Sequence, residues 1–333
     1  MAKIAIVGAG FWGPNLVRSF AAQRACAELT VCDKDASRLE WIGSRFPQVK
    51  LTGDFDAVLK SNVDGIVLAT PVTTHYELAR RALDAGKHVF VEKPLCQSVE
   101  EARRLVDQAE RAGRHLMVGH TLEYSPAVAK VGELIRGGEL GKIFFMSSQR
   151  VNLGVSRPNT SVVWELAPHD FSILFNWLDE APTMIAAVGK DYSRRGVTDV
   201  AFISIEFGSG VVAHLEVSWL APSKLRRTTV VGDKKMVVYD DMEAVEKVRI
   251  YDRGSDPKEH ESFGEFQMSQ RTGDILVPRL ATDEPIMLQT AEFLQVVDQG
   301  RRPRTDGRNG LRVVEALAAA THSLEEGGVP VRL

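Results

Sequence analysis

The sequence predicts an α/β protein in two parts, a parallel sheet with crossover helices followed by a second α/β domain on a large, mostly antiparallel sheet. Three observations predict it. Up to about residue 120, apolar strand patterns alternate with helical ones. The first strand runs straight into glycines spaced G-x-G-x-x-G, at Gly8, Gly10 and Gly13. From about residue 183 to 251, successive alternating apolar and polar runs take over, the mark of a sheet with one buried face.

The strands of the first part read at 3–7, 29–32, 64–69, 88–91 and 115–118. A helix around 77–83 is closed by Gly86, and another over 100–112 is closed by Gly113. The second opens on Ser98-x-x-Glu101, a capping box, with Ala102, Leu105, Val106 and Ala109 on its apolar face. After residue 120 the spacing predicts a helix over 126–136, a strand over 142–150 and a helix over 168–178 that starts at Pro168. Strands at 201–207 and 211–219 flank Gly208-Ser209-Gly210, and 228–231 turns through Gly232-Asp233 into 235–239. Helices near 286–299 and 308–325 close the chain, the latter alanine-rich and able to pack back on the first domain. At 333 residues the chain exceeds the usual size of one core, and the boundary falls at 1–121 against 122–333.

Composition narrows the partners. A net charge of −3 with both signs interspersed gives no footprint for nucleic acid. Cys26, Cys32 and Cys96 form no C-x-x-C pair and no even-numbered framework, so reduced thiols and a cytoplasmic location are expected. No apolar run reaches membrane-spanning length, and no histidine, cysteine or carboxylate spacing suggests a metal.

The glycine turn points to a dinucleotide. Gly8 permits the tight turn, Gly10 lets the backbone approach a pyrophosphate, and Gly13 lets the following helix pack closely, its N-terminus facing the phosphates. The second strand ends at Asp33, twenty positions after Gly13, where a carboxylate meets ribose hydroxyls and repels a 2′-phosphate. NAD is therefore expected ahead of NADP, with Lys34 and Arg38 close enough to weaken the preference.

Two more strand ends carry polar residues. One strand ends in Thr70-Pro71 with His75 just beyond, another in Glu92-Lys93-Pro94. A lysine there lies where a substrate would meet a nicotinamide, although a lysine ending a strand in water reads equally well. In Trp164-Glu165-Leu166-Ala167-Pro168-His169-Asp170, a helix beginning at Pro168 puts His169 in its first turn, where the dipole favours a neutral ring. Tyr124, Arg150, Asn152 and Trp164 are candidates to hold a substrate, with loop packing the alternative for each. His75, His88, His115, His120, His214, His260 and His322 read as structural or surface residues.

Gly8-Ala9-Gly10-Phe11-Trp12-Gly13, Ala69-Thr70-Pro71 with His75, Glu92-Lys93-Pro94 and a histidine opening a helix in the second domain together resemble the glucose-fructose oxidoreductase, inositol dehydrogenase and rhizopine-catabolism (Gfo/Idh/MocA) family. The resemblance spans essentially the whole chain, Glu284-Pro285 and the closing helices included. It implies an N-terminal Rossmann domain, then a substrate domain whose open sheet makes a homo-oligomer interface, dimeric or tetrameric. Sugar or cyclitol oxidation or reduction at the interdomain cleft is implied, with Gly8 to Gly13, Phe11, Trp12, Asp33, Lys34, Arg38, Thr70, Pro71, His75, Glu92 and Lys93 toward the cofactor. By the same resemblance Lys93 and His169 are the catalytic pair. The family often shows Asp-x-x-x-His, where this chain has Glu165-x-x-x-His169. Asn152-Leu153-Gly154 and the 164–170 segment look like the nucleotide-sugar branch, such as UDP-N-acetylglucosamine 3-dehydrogenases.

Oxidising a ring carbinol needs a hydride acceptor and a base at the hydroxyl, the base being His169 or Lys93. An inositol or free-sugar dehydrogenase is the alternative enzyme; an NAD sensor or an assembly subunit would require neither residue.

Overall fold

The computed structural model describes residues 1–154, 160–193, 195–255, 270–271 and 273–333; His260 lies outside them. Contacts divide the chain into two compact units, Met1–Tyr124 with Asp283–Glu315, and Ser125–Thr282 with Ala316–Leu333.

The first unit is built on six parallel strands, β1 (Ala2–Val7), β2 (Cys26–Cys32), β3 (Lys50–Thr52), β4 (Gly65–Leu68), β5 (His88–Glu92) and β6 (Leu116–Gly119), in the order β3-β2-β1-β4-β5-β6. β4 and β6 are buried along their whole length, as expected of strands covered on both faces. β3, only three residues long and mostly exposed, carries too little pattern to be legible in the sequence. The helices α1 (Gly13–Ala21), α4 (His75–Asp84) and α5 (Val99–Ala112) form where the spacing predicts, with α2 (Ala36–Arg45) and α3 (Phe55–Lys60) between the first two and Ser98 Oγ accepting the Glu101 amide at 3.2 Å.

The C-terminal region departs from the predicted boundary. The helix Pro285–Gln299 belongs to the first unit, because its apolar face completes that core: Phe293 is fully buried, 6.2 Å from Phe20 edge-to-face and 5.7 Å from Phe90. Ser19 Oγ meets Thr290 Oγ1 at 2.7 Å beneath it. The last helix, Gly307–Glu325, is divided between the units at Glu315.

Among the described residues, the second unit carries a nine-stranded sheet. Its centre runs β12 (Met236–Asp240), β11 (Leu220–Gly232), β7 (Ile143–Leu153), β10 (Val212–Ser218), β9 (Val200–Phe207) and β8 (Pro182–Lys190), all neighbours antiparallel except β7 with β10. The helices α6 (Pro126–Arg136) and α7 (Val162–Leu178) pack on one face, and Trp177 Nε1 ties them by donating to the Val128 carbonyl at 2.8 Å. Alternation fixes the register: in β9, Ala201, Ile203, Ile205 and Phe207 are buried while Phe202, Ser204 and Glu206 face outward.

The structure corrects the start of α7. It begins at Val162, and Pro168 lies inside it. Proline in a helix interior lacks a donor and crowds the carbonyl four residues back, a conflict here outweighed by packing, since eleven of the helix's residues are buried. His169 is therefore two turns into the helix, and the first-turn dipole argument for its neutral form does not hold.

Candidate functional site

Two glycines of the turn, Gly8 and Gly13, are required by contacts a side chain would violate. Gly8 has φ +102°, and a Cβ there would sit 2.6 Å from the Ala69 carbonyl oxygen; one on Gly13 would sit 2.2 Å from that of Gly8. A Cβ on Gly10 would meet only Arg38 Nη1, at 3.7 Å, so the second glycine leaves open space above the turn. α1 begins at Gly13 with no side-chain cap and no acidic residue in its first turn; Pro14 has no N–H and the Asn15 amide donates to the Trp12 carbonyl at 3.0 Å, so what this end offers an anion is its dipole and the Gly13 amide.

Asp33 lies beside this turn. Its Oδ2 accepts the Ala9 amide at 2.6 Å and stands 3.8 Å from Arg38 Nη1, and its Oδ1 accepts the Asp35 amide at 2.9 Å. The strand-end carboxylate thus fixes the glycine turn, while Lys34 and Arg38 are exposed. The open cradle at Gly10, the N-terminal end of α1 with no acidic residue and the strand-end carboxylate fit a dinucleotide.

Further along the same edge, Thr74 Oγ1 donates to Thr70 Oγ1 at 2.7 Å, and both ring nitrogens of His75 lie 2.9 Å from carbonyl oxygens, those of Pro94 and Thr70. Burial lowers the His75 pKa and the two carbonyls oppose it. His75 thereby holds the Thr70-Pro71 turn against the Lys93-Pro94 bond, which is cis. Trp12 Nε1 reaches across from the glycine turn to donate to Glu92 Oε1 at 2.9 Å, whereas Phe11 is 88% exposed. Burial pushes the Glu92 carboxyl up to about 7, against the opposing pull of Lys93 and the Trp12 bond. Gly119 makes room for it, since a Cβ there would lie 2.7 Å from Glu92 Oε2. Gly8, Gly10, Trp12, Gly13, Asp33, Thr70, Glu92 and Lys93 therefore share the carboxyl-end edge of one sheet.

The expected substrate residues separate. Tyr124 is 2% exposed in the first unit, its hydroxyl donating to Glu292 at 3.3 Å and 3.2 Å from Thr305 Oγ1, with Arg304 over its ring; it is part of the core. Arg150 is equally spent. Its Nε donates to Asp170 Oδ2 at 2.6 Å and its Nη2 to Oδ1 at 3.2 Å, both side chains 3% exposed. Burial opposes the Arg150 charge, but Asp170 holds its pKa above the ordinary value. Ser148 Oγ donates to the same carboxylate at 2.8 Å and lies 2.9 Å from Thr228 Oγ1. This network clamps α7 onto β7 one residue from His169. Trp164 Nε1 donates to Thr321 at 3.0 Å, a packing role. Asn152, Glu165 and His169 stay partly exposed in the second unit.

The sequence reads His120 as a structural or surface residue. It is buried just past β6, with neither ring nitrogen hydrogen-bonded. Like Lys93, it lies one residue past a strand end.

The fold and the glycine turn define a dinucleotide-binding α/β protein. Residues 2–120 match the oxidoreductase family with an NAD-binding Rossmann fold, and residues 128–238 match the Gfo/Idh/MocA C-terminal domain. The chain belongs to the Gfo/Idh/MocA family of oxidoreductases. Among relatives, it is 25% identical to D-apiose dehydrogenase of Paraburkholderia graminis, over 98% of this chain and 88% of that one. It is 25% identical to scyllo-inositol 2-dehydrogenase (NAD(+)) of Bacillus subtilis, over 99% and 96%. UDP-N-acetylglucosamine 3-dehydrogenase of Acidithiobacillus ferrooxidans is 26% identical over 97% of both chains, and a solved structure of it superposes with a TM-score of 0.83 over 98% of each. No helix among the described residues is long and apolar enough to cross a membrane.

Proposed function

We propose that the protein moves a hydride between a ring carbinol of a sugar and NAD. The observation that carries this reading is the convergence of the glycine turn, the Asp33 carboxylate and Lys93 on one strand-end edge. NAD supplies the hydride acceptor. Asp33 takes the adenosine ribose hydroxyls and disfavours a 2′-phosphate, which ranks NAD ahead of NADP, and exposed Arg38 tempers the preference. Phe11, Pro71 and Lys34 face the same ligand.

Lys93 orients the carbinol oxygen and stabilises negative charge developing there, while His169 accepts the hydroxyl proton. An unperturbed lysine, with a pKa of about 10.4, is a poor base, which favours this division of labour. The substrate we propose is a nucleotide sugar, UDP-N-acetylglucosamine oxidised at C3; the full-length similarity to the 3-dehydrogenase and the Asn152-Leu153-Gly154 and 164–170 segments support it. The similarity to the scyllo-inositol and D-apiose enzymes favours a second reading, a cyclitol or free-sugar dehydrogenase. We further propose a homo-oligomer through the uncovered sheet face, where Phe145, Val188, Phe202 and Val212 are each at least 40% exposed.

The test is incubation with NAD and a panel of UDP-sugars, free sugars and cyclitols, with the product identified by NMR. A 3-keto UDP-sugar supports the first reading, and a cyclitol or free-sugar ketone the second. No oxidised product from any member contradicts both.

A further inference from the structure

β5 and β6 run parallel, with Glu92 opposite Gly119 as their last registered pair. Lys93 and His120 are the next residue on each strand, so both leave the sheet at the edge that carries the glycine turn. The backbone of His120 is pinned: its amide donates to the Val118 carbonyl at 2.8 Å, and its carbonyl accepts the Glu123 amide at 3.0 Å. Its imidazole is 1% exposed and makes no hydrogen bond with either nitrogen.

His75, at the neighbouring strand end, shows the contrast. It is equally buried, but both of its nitrogens face carbonyl oxygens at 2.9 Å. A histidine kept for structure has partners of that kind. At position 120 an apolar ring would fill the same space without the cost of stripping water from two polar nitrogens.

We propose that His120 is the positioning residue for Lys93, its imidazole hydrogen-bonding the Lys93 side chain when the site is loaded and thereby setting that group's direction and charge. This rests on the reading of Lys93 as a site residue. Burial, reinforced by the field of Lys93, pulls His120 down to about 3, so the ring stays neutral throughout the working pH range. A neutral ring can accept from an ammonium or donate to an amine, and it does not compete for the proton. Glu92 ends the strand that leads into Lys93 and acts on it, and buried Glu123 lies three residues beyond His120.

An acceptor favours the charged form of Lys93, so its removal lowers the lysine pKa. The experiment compares His120→Phe, His120→Asn and the parent protein with NAD bound. The pH midpoint of Lys93 acetylation by acetic anhydride is read by mass spectrometry, alongside thermal melting. The proposal expects His120→Phe to lower the Lys93 midpoint by about one pH unit and not to lower the melting temperature, with Asn restoring most of the midpoint. A midpoint unchanged in both variants overturns it, as does a melting temperature that falls while the midpoint stays put. Turnover of Lys93→Met separates the two readings: undiminished turnover removes Lys93 from the reaction, while the acetylation midpoint still judges His120.

Discussion

Around Asp170 in the second unit, burial is matched by partners: Arg150 closes on the carboxylate with two hydrogen bonds and Ser148 adds a third. At the end of β6 in the first unit it is not, since the ring of His120 is buried with no hydrogen bond; beside it Glu92, bonded by Trp12 Nε1 and by the Lys93 backbone, still has a pKa raised to about 7. A satisfied buried network holds a fold in one geometry, whereas an unsatisfied one is carried at a cost in stability. The difference separates scaffold from site where residue type alone does not, because arginine and histidine are equally plausible ligand-binding residues on paper.

The comparison breaks most visibly at the scaffold. Asp170→Ala or Arg150→Met strands a buried charge and is expected to cost about 3–5 kcal/mol in urea unfolding. Joint replacement by Arg150→Met and Asp170→Leu should cost less than either single change. Single changes costing under about 1 kcal/mol would show that the pair is not a clamp.

At the site the expected effect is on rate. Lys93→Met and His169→Asn should each lower turnover by about 10²–10⁴-fold with NAD affinity nearly unchanged, as followed by steady-state kinetics and calorimetric titration. Loss of NAD affinity with unchanged turnover would reverse the assignment. Asp33→Ser removes the acceptor that fixes Ala9 and meets the ribose, and should weaken NAD by about 10–100-fold while narrowing the gap to NADP.

The smallest effect is a pH dependence. The folded pKa of Glu92, about 7, lies above its ordinary 4.5, so its contribution to stability is present below 4.5 and lost as pH rises toward 7. Glu92→Gln should therefore melt like the parent at acid pH and increasingly above it across that window. Parallel melting curves would show that Glu92 is not desolvated.

Much of the first unit was legible because its signals are local. Glycine spacing, strand ends and helix stops lie within a few residues of what they determine, and Gly8 to Gly13, Asp33 and Lys93 fall together as the sequence implies. The rest depends on partners distant in sequence. Arg150 reads as a ligand-binding residue because nothing nearby announces Asp170, twenty positions on, and Tyr124 because Glu292 and Thr305 come from the far end of the chain. Pro168 misplaced the start of α7 because a local preference for the first helical position yielded to packing around Phe171, Leu174 and Phe175. The helix Pro285–Gln299 carries no sequence mark of the core it completes at Phe20 and Phe90.

Single-turnover isotope transfer tests the central claim most directly. A substrate found in the sugar panel is deuterated at the carbinol carbon and mixed with enzyme and NAD, and the cofactor is analysed by mass spectrometry and NMR. The account predicts deuterium at C4 of the nicotinamide with the parent protein and its near-loss with Lys93→Met. A ketone product with no deuterium on the cofactor, or full transfer by Lys93→Met, would contradict it.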